Sequence, residues 1–255
     1  LGQSVGDGGG IEAAALLARL LELDLLGVFV EDEALLALAG HSFAREVRMP
    51  SHAWSAMAAG EVEAGLCVAA ERSRRLLVAH CARLGIAGGF EVLRGDAGAC
   101  VAALCEAADI LALGAPDSAA GRAFGSFPRA WRAALGSAAS VLLLPSRVAR
   151  RGGPVATLAS HGGVDEMALR LARAAGETLL VLEPPGISGE ATVDQAGRAA
   201  VALTRRRIGG TGAAAILEGL GTTRESLLVL ARDAARAGDG PPRIAAQRRI
   251  PVLVR

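Results

Sequence analysis

Ala108-Asp109-Ile110-Leu111-Ala112-Leu113-Gly114 is a short apolar run that stops on a glycine, a shape that suits a strand buried on both faces of a sheet. A polar loop of small residues follows at 115–123, then Gly125-Ser126, then a helical segment around Trp131. A second apolar run, Val141-Leu142-Leu143-Leu144, is closed by Pro145. Strand, glycine loop, helix, strand is how an open parallel sheet builds a ligand crevice at the carboxyl ends of its strands.

Working outward, residues 11–21 read as a helix rich in Ala and Leu that runs into the strand Leu25-Leu26-Gly27-Val28-Phe29-Val30. Residues 32–60, with His41, Pro50, His52 and Trp54, read as an irregular insertion or lid, with packing the expected role of Trp54. A long helix is expected over 61–84, stopped by the glycines at 85–89, and a short strand over Phe90-Glu91-Val92-Leu93. Asp96 can cap the helix 97–107 that delivers the chain to Ile110.

Beyond Pro145 the arginine-rich stretch 147–151 and Gly152-Gly153-Pro154 read as a linker, because charge with Gly and Pro favours exposed irregular backbone. The pattern then restarts: strand 154–160, helix 164–175, strand 178–182, helix 189–207 ending on Arg205-Arg206-Arg207, and strands at 213–217, 226–230 and 251–254. An offset of 154 maps Glu12 to Glu166, Leu17-Ala18-Arg19 to Leu171-Ala172-Arg173 and Leu25-Leu26 to Leu179-Leu180, which suggests duplication. The domains expected are therefore 1–146, with an insertion at about 32–60, a linker 147–153, and a degenerate second copy 154–255.

Composition narrows the function classes. The chain has 255 residues, 52% of them hydrophobic, which is ample for a substantial core. A net charge of +1 gives no electrostatic reason to expect nucleic acid or an anionic membrane as partner. No uncharged stretch is long enough to span a bilayer and no signal peptide opens the chain, so a cytoplasmic protein is expected. The opening without methionine also suggests a missing preceding segment. The four cysteines show no metal-ligand spacing and are expected to be buried apolar residues. Lysine, asparagine and tyrosine are absent, which excludes a P-loop, Schiff-base chemistry and a Tyr/Lys reductase.

In the order and spacing of these motifs the chain resembles the universal stress proteins in their tandem form. Leu26-Gly27-Val28-Phe29-Val30-Glu31-Asp32 is similar to the family's second strand, Arg94-Gly95-Asp96 to its third-strand exit, the run ending at Gly114 to its fourth strand, and Gly125-Ser126 to its phosphate-side pair. The resemblance implies an α/β fold, related to that of the adenine nucleotide alpha hydrolases. It would comprise two tandem units, each an open parallel five-stranded sheet flanked by helices, paired through their last strands. It also implies, in some members, ATP binding without a fixed reaction.

Carried over position by position, the resemblance makes Asp7 the candidate adenine carboxylate, offers backbone groups at Val30, and places phosphates at Gly114, Gly125 and Ser126. Asp117 stands where the family keeps a second glycine, and the loop is shorter than the family's; Gly121 is the residue that could compensate. Asp7 can equally be a loop residue capping the first helix. In the second copy Ser160 occupies the carboxylate position and residues 231–240 lack the glycine spacing, so no phosphate site is expected there.

Three readings stay open: a non-catalytic tandem protein that binds an adenine nucleotide, ATP being the cofactor, in its first unit; a nucleotide-free scaffold acting through protein contacts; and an ATP-using enzyme. The last rests on Ser160-His161-Gly162-Gly163-Val164-Asp165, which resembles the SGGxDS loop of ATP pyrophosphatases, although a plain Gly-Gly turn explains it as well. Gly210-Thr211-Gly212 follows an expected helix, which argues against a dinucleotide loop. Homodimerisation through an edge strand is a further expectation.

Overall fold

A computed structural model describes residues 8–48, 53–105, 110–187, 190–235 and 240–255. Asp7 lies outside these residues. The chain runs α1 (Gly9–Leu21), β1 (Leu25–Asp32), α2 (Glu33–Ala39), β2 (Arg45–Arg48), β3 (Ala53–Ala56), α3 (Ala59–Leu84), β4 (Gly88–Gly95), α4 (Ala97–Cys105), β5 (Ile110–Ala115), α5 (Ala119–Ala123), α6 (Phe127–Gly136) and β6 (Ser140–Pro145). It continues through β7 (Val155–Leu158), α7 (Glu166–Ala175), β8 (Leu179–Glu183), α8 (Glu190–Ala199), β9 (Leu203–Arg207), α9 (Ala213–Leu220), β10 (Leu227–Leu230), α10 (Arg232–Ala235), α11 (Gly240–Arg248) and β11 (Val252–Val254).

Seven strands form one sheet in the order β5-β6-β11-β10-β7-β8-β9. All neighbours are parallel except β6 and β11, where Leu142 pairs with Leu253 and Val141 with Val254 in antiparallel register. A parallel sheet covered on both faces demands strands apolar at every position, and Leu179–Glu183, Leu227–Leu230 and Val252–Val254 are buried throughout. Successive side chains then feed opposite cores. Val141 and Leu143 join Phe127, Trp131 and Ile244 on one face; Leu142 and Leu144 join Leu17, Leu171 and Leu179 on the other. Each fully buried leucine contributes about 1.5–3 kcal/mol of burial energy before conformational entropy is subtracted.

The five strands after residue 154 lie in the spatial order β9-β8-β7-β10-β11, a doubly wound arrangement that reverses direction of travel between β7 and β10. In the earlier part β5 pairs with β6, while β1 pairs in parallel with β4 in a separate two-stranded sheet. Residues 146–153 carry no regular structure, and the strands on either side of them share the large sheet.

Five expectations are corrected. Residues 203–207 are an edge strand rather than the end of a helix, because β9 needs an apolar face on one side only; Arg205 and Arg207 sit at exposed positions, Arg205 lying 3.4 Å from Glu183, and the half-buried Arg206 donates to the Gly219 carbonyl at 2.6 Å. Residues 213–220 are a helix rather than a strand, with Ile216, Gly219 and Leu220 buried at helical spacing. Within the insertion, α2 is capped by Asp32 Oδ1, which accepts the Ala34 N–H at 2.9 Å, and β2 pairs with β3 as an antiparallel hairpin. Trp54 on that hairpin is 74% exposed and packs no core, and Cys67 is likewise exposed. Trp131 is buried, parallel to Phe127 at 6.5 Å between ring centroids. Among the described residues no helix is long and apolar enough to cross a membrane.

Candidate nucleotide site

The carboxyl ends of β1, β4 and β5 lead into the segments that the resemblance marks as ligand-binding. Gly114 lies in β5 opposite Leu144, and a Cβ built on it would meet nothing within 4 Å. Gly125 has φ +83°, a left-handed conformation that favours glycine, and also faces open space. Ser126 is the residue before the first turn of α6, and its side chain makes no capping hydrogen bond. The α6 N-terminus therefore presents backbone N–H groups and the positive end of a helix dipole without an internal acceptor from Ser126. Pro128 in the first turn contributes no N–H donor. Val30 is buried in β1 opposite Leu93.

Gly121 does not supply a free N–H, since that group already donates to Ser118 Oγ at 3.0 Å in the cap of α5. Its lack of a side chain serves packing instead, because a Cβ would sit 2.8 Å from Pro116 Cβ. The loop before it is folded on itself: Arg122 Nη1 donates to the carbonyls of Asp117 at 2.7 Å and Pro116 at 3.1 Å, and the Asp117 carboxylate accepts the Ser146 hydroxyl. The carboxylate that would repel a phosphate is thus turned toward the end of β6.

Sequence reasoning missed a charged cluster at the same end of the sheet. Arg129, in the first turn of α6, lies 3.1 Å from Asp96 and 3.4 Å from Asp32, tying the exits of β4 and β1 to the helix that follows Gly125-Ser126. Arg94 forms a second link, 2.9 Å from the buried Glu31 and 3.5 Å from Glu63; its hydrogen bond to Glu31 and the two negative charges hold its pKa above the ordinary arginine value. The available signal was positional: Glu31 and Asp32 end a strand, Asp96 follows one, and Arg129 stands three residues after Ser126. Asp96 also caps α4, as expected, by accepting the Ala99 N–H at 3.0 Å.

The loop that follows β7 is closed. Ser160 and Gly163 exchange backbone hydrogen bonds at 2.7 and 3.0 Å, the Val164 N–H donates to Gln195 Oε1 at 2.9 Å, and the Met167 N–H donates to Asp165 Oδ1 at 2.8 Å. These N–H groups are consumed within the fold, which is the geometry of a Gly-Gly turn and a capped helix. After β10, Arg232 turns to the opposite side of the sheet junction, where it donates to the carbonyls of Leu135 at 2.7 Å and Ser137 at 2.8 Å. Gly210-Thr211-Gly212 joins β9 to α9, so its context is strand to helix, contrary to expectation; β9 is an edge strand. Among the described residues no group of three or more His, Cys, Asp or Glu is placed to hold a metal ion.

No protein-family model matches the chain, and no curated protein matches it. Solved structures do. A universal stress protein from Archaeoglobus fulgidus DSM 4304 aligns over 96% of this chain and 89% of its own at TM-score 0.65 and 14% identity. A functionally unknown protein from Pseudomonas aeruginosa PAO1 aligns over 96% of this chain and 86% of its own at TM-score 0.56 and 16% identity. A candidate universal stress protein from Pseudomonas aeruginosa UCBPP-PA14 aligns over 91% of this chain and 92% of its own at TM-score 0.51 and 18% identity. At these identities the likeness is one of fold, and the fold is the α/β architecture of the universal stress proteins.

Proposed function

We propose that the chain is a tandem universal-stress-type protein in which residues 1–146 bind an adenine nucleotide, residues 147–153 link, and residues 154–255 act as a built-in partner that binds no nucleotide. The observation that carries this reading is the pairing of an uncapped α6 N-terminus at Gly125-Ser126 with open space in front of both Gly125 and Gly114. Gly114 lets backbone approach a phosphate, the α6 N-terminus supplies N–H donors and the dipole, and Arg129 in the same turn offsets the neighbouring Asp32 and Asp96 carboxylates. The reading is non-catalytic: binding itself is the activity proposed. ATP is the expected ligand and the cytoplasm the expected compartment.

Titration of the protein with ATP-Mg tests the reading: saturable heat is expected, abolished by Gly125→Asp and retained by Gly163→Asp. Loss with Gly163→Asp alone would transfer the site to the Ser160–Asp165 loop and favour an ATP-using enzyme. A nucleotide-free scaffold of the same fold is the second reading, favoured by the consumed Gly121 N–H and by the Asp117 carboxylate beside the loop. Absence of heat at millimolar ATP would establish it over the first.

A further inference from the structure

A cavity of about 860 Å³ lies between α1 and α7, over the sheet at the junction of the two parts of the chain, and is closed on one side by residues 147–152. None of Val30, Gly114, Gly121, Gly125 and Ser126 lines it, so it is separate from the nucleotide site. Its volume is in the range of small-molecule sites. The apolar wall is made by Leu16 and Leu20 of α1, Leu142 of β6, Leu171 of α7 and Leu227 of β10.

Arg150, which lines the cavity, carries an unsatisfied nitrogen. Arg150 Nη1 is buried and has no hydrogen-bond partner among the described residues. The neighbouring charges are committed elsewhere: Arg151 donates to Glu12 at 2.8 Å, Arg83 to the other Glu12 oxygen at 2.7 Å, and Glu177 accepts the Gly153 N–H at 2.8 Å. Counting the charged side chains that line the cavity, four arginines face three glutamates, which leaves one positive charge. A buried guanidinium nitrogen without an acceptor is costly, and a cavity with an apolar wall and a net charge of +1 on its lining is complementary to an apolar body carrying a single negative charge.

We propose that this cavity binds an amphipathic monocarboxylate, with its hydrocarbon part against the leucines and its carboxylate accepting from Arg150. Arginine suits that acceptor, since its planar donors match a carboxylate and remain charged at every accessible pH. The apolar body supplies binding through removal of surface from water, and the ion pair fixes its orientation.

The test is calorimetric titration of the full chain with decanoate, decan-1-ol and acetate below micellar concentrations. Decanoate is expected to saturate at one per chain, decanol to bind about tenfold more weakly, and acetate not to saturate. Arg150→Met should abolish the preference for decanoate over decanol without lowering the melting temperature, because it removes an unmatched cation and keeps the stem. Ala174→Phe, at an exposed position of α7 facing the cavity, should weaken decanoate and decanol together. Equal binding of decanoate and decanol, saturable acetate binding, or a preference that survives Arg150→Met would each overturn the proposal. ATP-Mg titration of Arg150→Met should match the unaltered protein, which separates this site from the nucleotide reading.

Discussion

Arg232, just beyond β10, donates from Nη1 to the carbonyl oxygen of Leu135 at 2.7 Å, at the carboxyl end of α6 on the other side of the β6–β11 junction. The same nitrogen reaches the Ser137 carbonyl at 2.8 Å, and Nη2 reaches the Ala139 carbonyl at 2.5 Å. These carbonyls lie at and just past a helix terminus where intrahelical donors run out, and a cation there also matches the negative end of the helix dipole.

Arg232→Met keeps the aliphatic stem and removes every one of these donors. A loss of about 1.5–3 kcal/mol is expected, from charge-assisted hydrogen bonds to groups that are partly buried. Urea denaturation followed by circular dichroism measures it; a change within about 0.5 kcal/mol would show that water replaces the guanidinium at no cost.

Much of this architecture was readable because burial writes itself plainly into a parallel sheet. Ile110–Ala115, Ser140–Pro145, Leu179–Glu183 and Leu227–Leu230 are apolar because both their faces, or the face toward a covering helix, are dry. Where only one face is covered the signal weakens. Edge strand β9 carries Thr204, Arg205, Arg206 and Arg207 in sequence and imitates a polar helix end. The Ala-rich α9 has too little polar contrast to reveal its period, and its apolar start imitates a strand. Of the candidate site, the Gly125-Ser126 turn was legible because a positive-φ glycine before a helix has a sequence signature. The Arg129–Asp32–Asp96 cluster was not, since its members come from three elements 97 residues apart at the extremes and meet only once the sheet has formed.

Breaking the buried ion pair of Arg248 and Glu225 should cost more than any exposed pair. The two meet through paired contacts of 2.6 and 2.8 Å, Glu225 is fully buried, and the Arg248 side chain is only 18% exposed. Glu225→Met strands a guanidinium that also holds the Gly221 and Thr223 carbonyls, and a loss of about 3–5 kcal/mol is expected. The double variant Glu225→Met with Arg248→Met should be less destabilised than the two single changes sum to, by about 1 kcal/mol or more. Additive losses in thermal denaturation would show that the two charges do not act on each other.

Glu12 makes part of the stability acid-sensitive. Burial pushes its carboxyl upward, but the hydrogen bond from Arg83 and the charges of Arg151, Arg83 and His80 together outweigh this and hold its pKa below the ordinary 4.5. A carboxyl depressed in the folded state stabilises it above the unfolded value, and that contribution disappears as pH falls from there through the folded pKa. The unaltered protein should therefore lose its stability advantage over Glu12→Gln between pH about 5 and pH about 3. Melting temperatures of the two proteins across that interval check it, and a gap that stays constant would mean that the arginines do not favour the charged form.

Leu253 pairs with Leu142 at the only antiparallel step of the seven-stranded sheet, with the two side chains 0% and 2% exposed. Main-chain pairing and dry side chains at this step bind the strands that precede residue 146 to those that follow residue 153. Leu253→Ala removes buried volume from the centre of that seam, and a loss of about 2–5 kcal/mol is expected, the upper end applying if the flanking Leu144 and Leu179 cannot close the void. The seam also sets cooperativity, because unfolding either side exposes an edge strand and its apolar neighbours on the other. Far-ultraviolet circular dichroism and the fluorescence of Trp131, on α6 of the earlier part, read in a Trp54→Phe background, should report one shared urea transition in the otherwise unaltered protein. Leu253→Ala should draw them apart, with Trp131 reporting its own transition. Coincident curves in the variant, shifted together, would mean that the seam stabilises both parts without being what couples them.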